Sequence, residues 1–214
     1  AGSHGFGSGR GAGHRQRREF LAHLFFEPRG RFAPGLAQFA REAFVVRGQR
    51  VALAAELRAA SADHLVVTSD ADIAALGKSE TVAVSLPGTP FGLAEKDYTP
   101  AQKLIAADAY FALATDCNPG TTWNESMQFI IALACRAMKI TPAQAIAAAT
   151  INSAHAIRRS DSIGSIEVSK QADMLILNVP EYRHLGYRYG TNLVRQVIKR
   201  GRVYSVDVGY YRTT

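Results

Sequence analysis

The alternation of apolar and polar residues from residue 51 onward has two periods, one typical of strands and one typical of helices. Short apolar runs at residues 64–67, 81–86 and 110–114 predict buried strands. Apolar side chains at steps of three and four between residues 123 and 138 predict an amphipathic helix. Because helices separate the strands, the pattern predicts an α/β fold with a parallel sheet and right-handed crossovers.

Helix start signals precede several further predicted helices. Thr99 and Thr141 each open a Thr-Pro-Ala-Gln sequence, in which Thr is the predicted N-cap, Pro fits the first turn and Gln completes a capping box. Asp70 is the predicted N-cap of an earlier helix. Further helices are predicted at residues 51–60 and 150–157. Another contains residues 73–76, and the helices that start at the two Thr-Pro-Ala-Gln sequences run through residues 104–105 and 146–149.

After Gly164 the pattern changes to short strands joined by polar turns. This change predicts a separate small β-element that follows the α/β part. Its strands are predicted at residues 166–168, 174–179, 194–198 and 202–206.

The first 50 residues differ in composition from the rest, with nine Arg, nine Gly and no Lys or Asp. Their net charge is +6, whereas the remaining 164 residues carry +1 of the total of +7. Three interpretations stay open: a basic arm for nucleic acid, a degenerate part of the same fold, or an out-of-frame reading of a GC-rich gene. Apolar stretches at residues 20–26 and 44–46 count against a solvated arm, and the composition favours the out-of-frame reading.

Composition and cysteine usage narrow the class of protein. A hydrophobic share of 47% predicts a globular protein with a sizeable core. The sequence has no apolar run of about 18 residues and no signal-peptide pattern, so we expect a soluble, cytoplasmic protein that does not bind membranes. Cys117 and Cys135 are expected to be buried thiols, because two cysteines in a strand end and a helix indicate neither a disulfide framework nor a thiolate metal site.

Two ionisable residues lie beside predicted strands, Asp116 at the end of one and His64 at the start of another. In a barrel of parallel strands, the carboxyl ends of the strands form the active site. The two side chains can therefore meet above one barrel mouth, although 52 residues separate them. Taken singly, a helix cap or turn brace for Asp116 and a hydrogen-bonded core histidine for His64 are the commoner roles.

The loop that begins at Asp116 reads Asp-Cys-Asn-Pro-Gly-Thr and precedes the predicted amphipathic helix. Unpaired N–H groups at that helix start, together with Asn118 and Thr121, could hold a substrate carboxylate. The loop at residues 86–91 could form another wall of the site, although a tight turn is the simpler interpretation.

Several motifs of the chain resemble those of imidazolonepropionase, a family within the amidohydrolase superfamily. They follow the family's order over residues 51–205, about three quarters of the chain, and the Asp-x-Asn-Pro-Gly loop is specific to this family. The motifs are Ser61-Ala62-Asp63-His64-Leu65, Leu86-Pro87-Gly88-Thr89, Ala112-Leu113-Ala114-Thr115-Asp116-Cys117-Asn118-Pro119-Gly120, Ser126-Met127-Gln128, Ala148-Ala149-Thr150-Ile151-Asn152, Gly164-Ser165-Ile166-Glu167 and Tyr182-Arg183-His184-Leu185.

The resemblance implies a fold and a reaction. The fold is the C-terminal part of a metal-dependent hydrolase (β/α)8 TIM-like barrel, of which residues 51–160 keep the last three strands. Residues 161–214 would belong to a small β-sandwich and a C-terminal tail. The implied reaction is the hydrolytic opening of 4-imidazolone-5-propanoate to N-formimino-L-glutamate in histidine degradation, and the implied assembly allows a homodimer.

The resemblance also implies roles for individual residues. Asp116 would bind the catalytic Zn or Fe ion and help to take a proton from water, and His64 would polarise the ring carbonyl. The substrate-contacting residues would be Asn118, Gly120 and Thr121. Such a metal lowers the pKa of bound water to about 7, which agrees with this assignment.

Several departures from the family pattern affect these expectations. The family's His-x-His pair is absent from the sequence, and Arg41-Glu42-Ala43-Phe44 stands where the family has His-Ala-Asp-Glu. Catalytic zinc sites usually have three protein ligands, so we expect no tight metal site and no activity from this chain alone. Three barrel strands would also leave two open edges, which predicts aggregation.

Two other classes of function remain as alternatives. One is a non-catalytic binding module whose Arg- and Gly-rich segment binds nucleic acid, although the nearly neutral charge of residues 51–214 disfavours a nucleic-acid partner. The other is an amidohydrolase that acts on a different cyclic amide.

Overall fold

The computed structural model describes residues 44–46 and 51–205, which form parallel and antiparallel strands with helices between them. The strands are β1 (Phe44–Val46), β2 (Ser61–His64), β3 (Val82–Ser85), β4 (Phe111–Leu113), β5 (Met174–Leu177), β6 (Val194–Lys199) and β7 (Arg202–Ser205). The helices are α1 (Val51–Glu56), α2 (Asp70–Leu76), α3 (Gly88–Gly92), α4 (Ala101–Ala106), α5 (Met127–Ala137), α6 (Pro142–Ala149) and α7 (Ile151–Ala156), with a 3₁₀ helix at Tyr182–Gly186. Expectations for residues 1–43, 47–50 and 206–214 lie outside the described residues.

Strands β1 to β4 form one parallel sheet in the order β1-β2-β3-β4. Each later strand is reached through at least one helix, which confirms the predicted α/β alternation. The resemblance implied three barrel strands, and the structure adds a fourth, β1, inside the compositionally distinct segment. Val46 of β1 is in register with His64 of β2, so the carboxyl ends of the strands align.

Alternate residues of the parallel strands face opposite sides of the sheet. Ala62, Ala83, Phe111 and Leu113 belong to the main hydrophobic core, together with helix residues such as Leu104 and Ile130. On the other face, the side chains of Val82, Val84 and Ala112 form a smaller cluster with Ala156 of α7. Burial on both faces explains why these strands read as continuous apolar runs in the sequence.

The outer edge of β4 is partly covered by side chains from α7. Asn152 Nδ2 donates to the carbonyl of Phe111 at 2.7 Å, and Ser153 Oγ lies 2.9 Å from the carbonyl of Leu113 and 2.7 Å from that of Ala148, which share its single proton. The intervening residue, Ala112, pairs with Val84 and directs its backbone groups toward β3. The carbonyls of Phe111 and Leu113 on either side of it therefore point toward the free edge of the sheet. The β4 edge is therefore less open than the sequence predicted.

Of the three predicted helix caps, one is correct and two are wrong. Thr141 caps α6 and shares a capping box with Gln144, as predicted. Asp70, in contrast, is the first residue of α2, because Ser69 is its N-cap and forms the capping box with Asp72. The predicted cap Thr99 is also wrong, since Pro100 is the N-cap of α4 and the Thr99 hydroxyl bonds elsewhere.

Strands β5, β6 and β7 form a second, antiparallel sheet, as the pattern after Gly164 predicted. The predicted strand at residues 166–168 does not form in the described structure, where Ile166 is 82% exposed and Val168 is 96% exposed. Side-chain bonds among Ser165, Glu167 and Lys170 hold this stretch as a turn instead. The 3₁₀ helix was not predicted, and its Leu185 joins the main core.

Two expectations from composition can be compared with the described residues. No helix within residues 51–205 is long and apolar enough to cross a membrane. Both cysteines are free, and Cys117 is exposed rather than buried because it lies in a surface loop instead of a strand.

Candidate active site

His64 lies at a sharp turn that ends β2, rather than at the start of a strand as the sequence predicted. Its φ angle is +74°, and the N–H of Leu65 donates to the carbonyl of Asp63 at 3.2 Å. A hydrogen bond between residues two apart around a residue with this φ defines a γ-turn of the rare, strained type. Leu65 follows with a φ angle of +57°, so two consecutive non-glycine residues have positive φ angles.

Asp116 lies three residues beyond β4, in the loop that leaves the same end of the sheet. Its φ angle is +51°, and its Oδ2 accepts a hydrogen bond from the hydroxyl of Thr89. Thr89 belongs to α3, the short helix that directly follows β3, and is buried. The loops after β3 and β4 are therefore joined at the carboxylate of Asp116.

Two glycines of α3 allow this helix to approach the Asp116 loop closely. A Cβ atom on Gly92 would collide with the carbonyl oxygen of Thr121. A Cβ atom on Gly88 would lie 3.1 Å from both the carbonyl oxygen of Thr115 and the hydroxyl of Thr122. The predicted wall formed by residues 86–91 is thus a helix packed against the neighbouring loop.

The side chain of Asn118 holds the Asp116 loop together from within. Its Nδ2 donates to the carbonyl of Asp116 at 2.7 Å and to Thr121 Oγ1 at 2.9 Å. Its Oδ1 accepts the N–H groups of Gly120 and Thr121, both at 2.9 Å. These two N–H groups are consequently bound inside the loop.

The predicted anion site at a helix start is not formed in this way. Helix α5 begins at Met127, six residues after Thr121, and Ser126 caps it by accepting from the N–H of Phe129 at 3.2 Å. The loop therefore does not lead directly into the helix N-terminus. Trp123, at the start of the predicted range of residues 123–138, is 78% exposed and precedes the helix.

A third ionisable group, Asp63, was not singled out from the sequence. It interacts electrostatically with both His64 and Asp116, which places the three groups at one end of the sheet. Burial raises the pKa of the Asp63 carboxyl above its ordinary value, whereas a hydrogen bond from Ser61 and the charge of His64 oppose this shift. The negative charge of Asp116 adds to it.

Asp63 also lines an open cleft of about 660 Å³ on the face of the sheet opposite the main core. The cleft walls are mostly small and apolar, with Val84, Ala112 and Ala114 from the neighbouring strands. Among the described residues, the buried Oδ1 atom of Asp63 has no hydrogen-bond partner. Asp63 lies two residues after Ser61 on the same strand, so both polar side chains face the same side of the sheet. The sequence already contained this signal.

Two buried hydroxyls beside His64 were also missed. The Thr99 hydroxyl donates to the carbonyl of His64 at 2.6 Å and lies 2.8 Å from the hydroxyl of Ser85. Thr99 is 4% exposed and Ser85 is fully buried. Thr99 was interpreted as a helix cap because a capping box and a buried Thr-Pro sequence look alike without tertiary structure.

The described residues do not by themselves fit a catalytic metal ion. Within residues 51–205, no group of three or more His, Cys, Asp or Glu side chains is arranged to hold one. Asp116 supplies one carboxylate, and Thr89 already occupies one of its oxygens. A catalytic zinc site usually needs three protein ligands.

Comparisons with known proteins identify the family. The model of the amidohydrolase family matches residues 35–204, which includes all strands up to β6 and most of β7. The chain belongs to the amidohydrolase family. Amidohydrolase membership agrees with the parallel sheet and with the position of His64 and Asp116 at the carboxyl ends of its strands.

Curated imidazolonepropionases are among the similar sequences. The protein from Herpetosiphon aurantiacus is 58% identical over 151 residues, which cover 71% of this chain and 35% of the relative. The protein from Geobacillus kaustophilus is 48% identical over 159 residues, which cover 74% of this chain and 37% of the relative. This amidohydrolase chain therefore spans little more than a third of the length of these relatives.

Solved structures of amidohydrolases share the fold. An adenosine deaminase from Xanthomonas campestris with bound zinc is 25% identical, with a TM-score of 0.60 over 68% of this chain and 37% of that protein. A variant of the atrazine chlorohydrolase TrzN from Arthrobacter aurescens TC1, complexed with zinc and atraton, is 16% identical. Its TM-score is 0.63 over 88% of this chain and 54% of that protein, which shows the fold alone.

Proposed function

We propose that this chain supplies part of the active site of an imidazolonepropionase, which opens 4-imidazolone-5-propanoate with water to give N-formimino-L-glutamate. The observation that carries the proposal is the 58% identity over 151 residues to a curated imidazolonepropionase. The arrangement of His64, Asp63 and Asp116 at one end of the parallel sheet supports it, because amidohydrolase chemistry is expected at that end.

Ring opening requires two kinds of group. Water adds to the ring carbonyl carbon, the C–N bond to the ring nitrogen breaks, and that nitrogen takes a proton and leaves as part of the formimino group. The carbonyl carbon becomes a carboxylate. A base must accept the proton of the attacking water, and a donor must stabilise the negative charge that develops on the carbonyl oxygen.

We assign these two tasks to Asp116 and His64. The hydroxyl of Thr89 fixes Oδ2 of Asp116, so we assign the water proton to Oδ1. The His64 imidazole donates a hydrogen bond to the ring carbonyl oxygen as charge develops there. The γ-turn fixes the backbone from which this imidazole projects.

The loop of Asn118, Gly120 and Thr121 is the proposed substrate contact. Gly120 is exposed and Thr121 is half-buried, so the tip of the loop is accessible to a ligand. Asn118 contributes by holding the loop in shape, because its amide bonds to Asp116, Gly120 and Thr121.

We further propose that the complete active site holds one divalent metal, Zn or Fe, with Asp116 as the ligand from this part of the chain. Zinc in the two structural neighbours supports a divalent ion. The remaining ligands must come from outside residues 51–205, since the described residues offer no group of three.

A chimeric enzyme tests the proposed function. The matching part of the Herpetosiphon aurantiacus imidazolonepropionase is replaced by residues 51–205 of this chain, and consumption of 4-imidazolone-5-propanoate is measured. We expect an active chimera in which Asp116→Asn and His64→Gln each lower kcat about 100-fold or more. We expect no turnover from the 214-residue chain alone.

The outcomes separate the alternatives. A folded chimera that does not open the imidazolone ring, or one that keeps its rate with Asn at position 116, would refute the proposal. Turnover of another cyclic amide, such as a hydantoin, with none of the imidazolone would favour a different amidohydrolase. Sedimentation of the chimera tests whether it forms a homodimer.

A further inference from the structure

The direction of the His64 side chain is set by its turn rather than by the pleat of β2. Side chains alternate along a strand, so a continued pleat would place His64 on the same face as Ala62, which the main core covers. The γ-turn ends the pleat at His64, with φ +74° and the bond from Leu65 N–H to Asp63. Such a conformation persists only when surrounding contacts hold it.

The hydroxyl of Thr99 holds the C-terminal side of this turn. It lies 2.6 Å from the carbonyl oxygen of His64, and Thr99 is 4% exposed. The carbonyl can only accept, so the single hydroxyl proton of Thr99 must point toward it. Thr99 lies 35 residues beyond His64 in the chain, just before α4, so the turn is fixed by a tertiary contact.

Ser85 fixes the orientation of the Thr99 hydroxyl. Because the Thr99 proton is used at His64, the Ser85 hydroxyl is the donor in the 2.8 Å bond between the two side chains. Ser85 is the last residue of β3 and fully buried, and its hydroxyl also lies 3.8 Å from Met138 Sδ, a weak acceptor. Two hydroxyls therefore connect the end of β3 to the turn at the end of β2.

We propose that Thr99 is a positioning residue for His64, and that Ser85 orients Thr99. The proposal rests on the proposed function, in which the His64 imidazole stabilises charge on the ring carbonyl. Without the Thr99 hydroxyl, the turn relaxes toward ordinary strand geometry and the imidazole moves away from the ring carbonyl. A displacement of about 1 Å at a reacting group can cost about 100-fold in rate.

Amide hydrogen exchange in the 214-residue chain tests the positioning without any need for activity. Thr99→Val removes the hydroxyl at nearly constant volume, and we expect the Leu65 amide to exchange roughly ten-fold faster. Thr99→Ser keeps the hydroxyl and should restore the protection. Ser85→Ala leaves the bond from Thr99 to His64 in place and should have a smaller effect.

Thr81 provides the matched control. It is also fully buried, and its hydroxyl donates to the carbonyl of Ala54, away from the His64 turn. Thr81→Val should leave exchange at Leu65 unchanged. If Thr99→Val left exchange of the Leu65 amide unchanged, the proposal would be overturned. It would also be overturned if Thr81→Val accelerated this exchange equally, because the effect would then reflect a general loss of stability.

Kinetics of the chimera give a second, independent measurement. We expect Thr99→Val to lower kcat at least about ten-fold with little change in KM, and Thr99→Ser to restore it. In a His64→Gln background, Thr99→Val should have no further effect, because it acts through His64. A full additional loss in that background, or an unchanged kcat in the single variant, would contradict the positioning role.

The two measurements also distinguish failures. If the chimera with Thr99 intact is folded and inactive, the proposed function is wrong, whereas the exchange experiment still decides whether Thr99 holds the turn. If the chimera is active and Thr99→Val keeps its kcat, only the positioning proposal is wrong.

Discussion

At the scale of single residues, the half-buried Asp63 and the buried Asp72 show opposite responses to their surroundings. Burial raises the pKa of Asp63, one of whose carboxylate oxygens has no partner in the described part of the chain. The pKa of Asp72 is lowered, chiefly by its hydrogen bond with the Ser69 side chain and also by the N–H groups of Ser69 and Ala52. The same residue type therefore opposes folding at one position and supports it at the other when ionised.

Replacement of Asp63 should expose this difference as a pH dependence. Because its pKa is raised on folding, Asp63 contributes stability at pH values below the unfolded pKa, and this contribution is lost as the pH rises through the folded pKa. Asp63→Asn should thus raise the free energy of unfolding by roughly 1 kcal/mol at pH 7 and have little effect near pH 3. Urea denaturation of the chain, below the concentration at which it associates, measures this.

Asp72→Asn is the matched comparison, with the opposite sign. Its pKa is lowered on folding, so its contribution is present above the unfolded pKa and is lost as the pH falls through the folded pKa. The substitution should cost about 1 kcal/mol at pH 7 and less near pH 3. If both variants shifted stability in the same direction at pH 7, the electrostatic account of Asp63 would be wrong.

At the scale of elements, the sequence predicted most of the helices and strands and the position of Asp116 beyond the end of a strand. Periodicity located β3, β4 and α5, and the capping box at Thr141 was correct, because these signals lie within a few residues of one another. The hydroxyls of Thr89 and Thr99 could not be predicted in the same way. Their partners lie 27 and 35 residues away, and only the folded sheet brings them together.

The contact between α7 and β4 makes a prediction about the edge of the sheet. Asn152→Ala removes the donor to the Phe111 carbonyl and leaves this partly buried acceptor on an edge strand without its side-chain partner. We expect a loss of about 1–2 kcal/mol in the free energy of unfolding and faster aggregation, measured by denaturation and by light scattering.

Gln102→Ala is the control for this edge. This substitution also removes one hydrogen bond from a side-chain amide, which the Gln102 amide donates to the carbonyl of Lys139 at 2.9 Å. That bond is exposed and lies outside the sheet. A loss below about 0.5 kcal/mol is expected there. Equal effects of the two substitutions would argue against protection of the β4 edge by α7.

At the scale of the whole molecule, one face of the parallel sheet lines an open cleft. Val84 and Ala112 are themselves buried, but together with Ala114 they border an open cleft of about 660 Å³ on that face. Exposed apolar side chains also occur on the second sheet, where Leu175 is 58% exposed and Val203 is 60% exposed. An open apolar cleft and exposed apolar side chains of this kind favour association between chains.

We expect the 214-residue chain to associate as its concentration rises and to bind a hydrophobic dye such as ANS. Sedimentation velocity and ANS fluorescence measure the two effects, with the chimera as the comparison. In the chimera the remaining strands of the relative cover the cleft face, so both signals should fall. A monodisperse chain with a cooperative thermal transition and no dye binding would contradict this expectation.

The close packing of α3 against the Asp116 loop limits how specificity could change in this protein. Gly88 and Gly92 leave no space for larger side chains against the neighbouring loop, and Thr89 is bonded to Asp116. A substitution on either segment therefore shifts both. In the chimera, libraries aimed at new substrates would need paired changes on the two segments, and we expect single-site libraries at these positions to return mostly inactive variants.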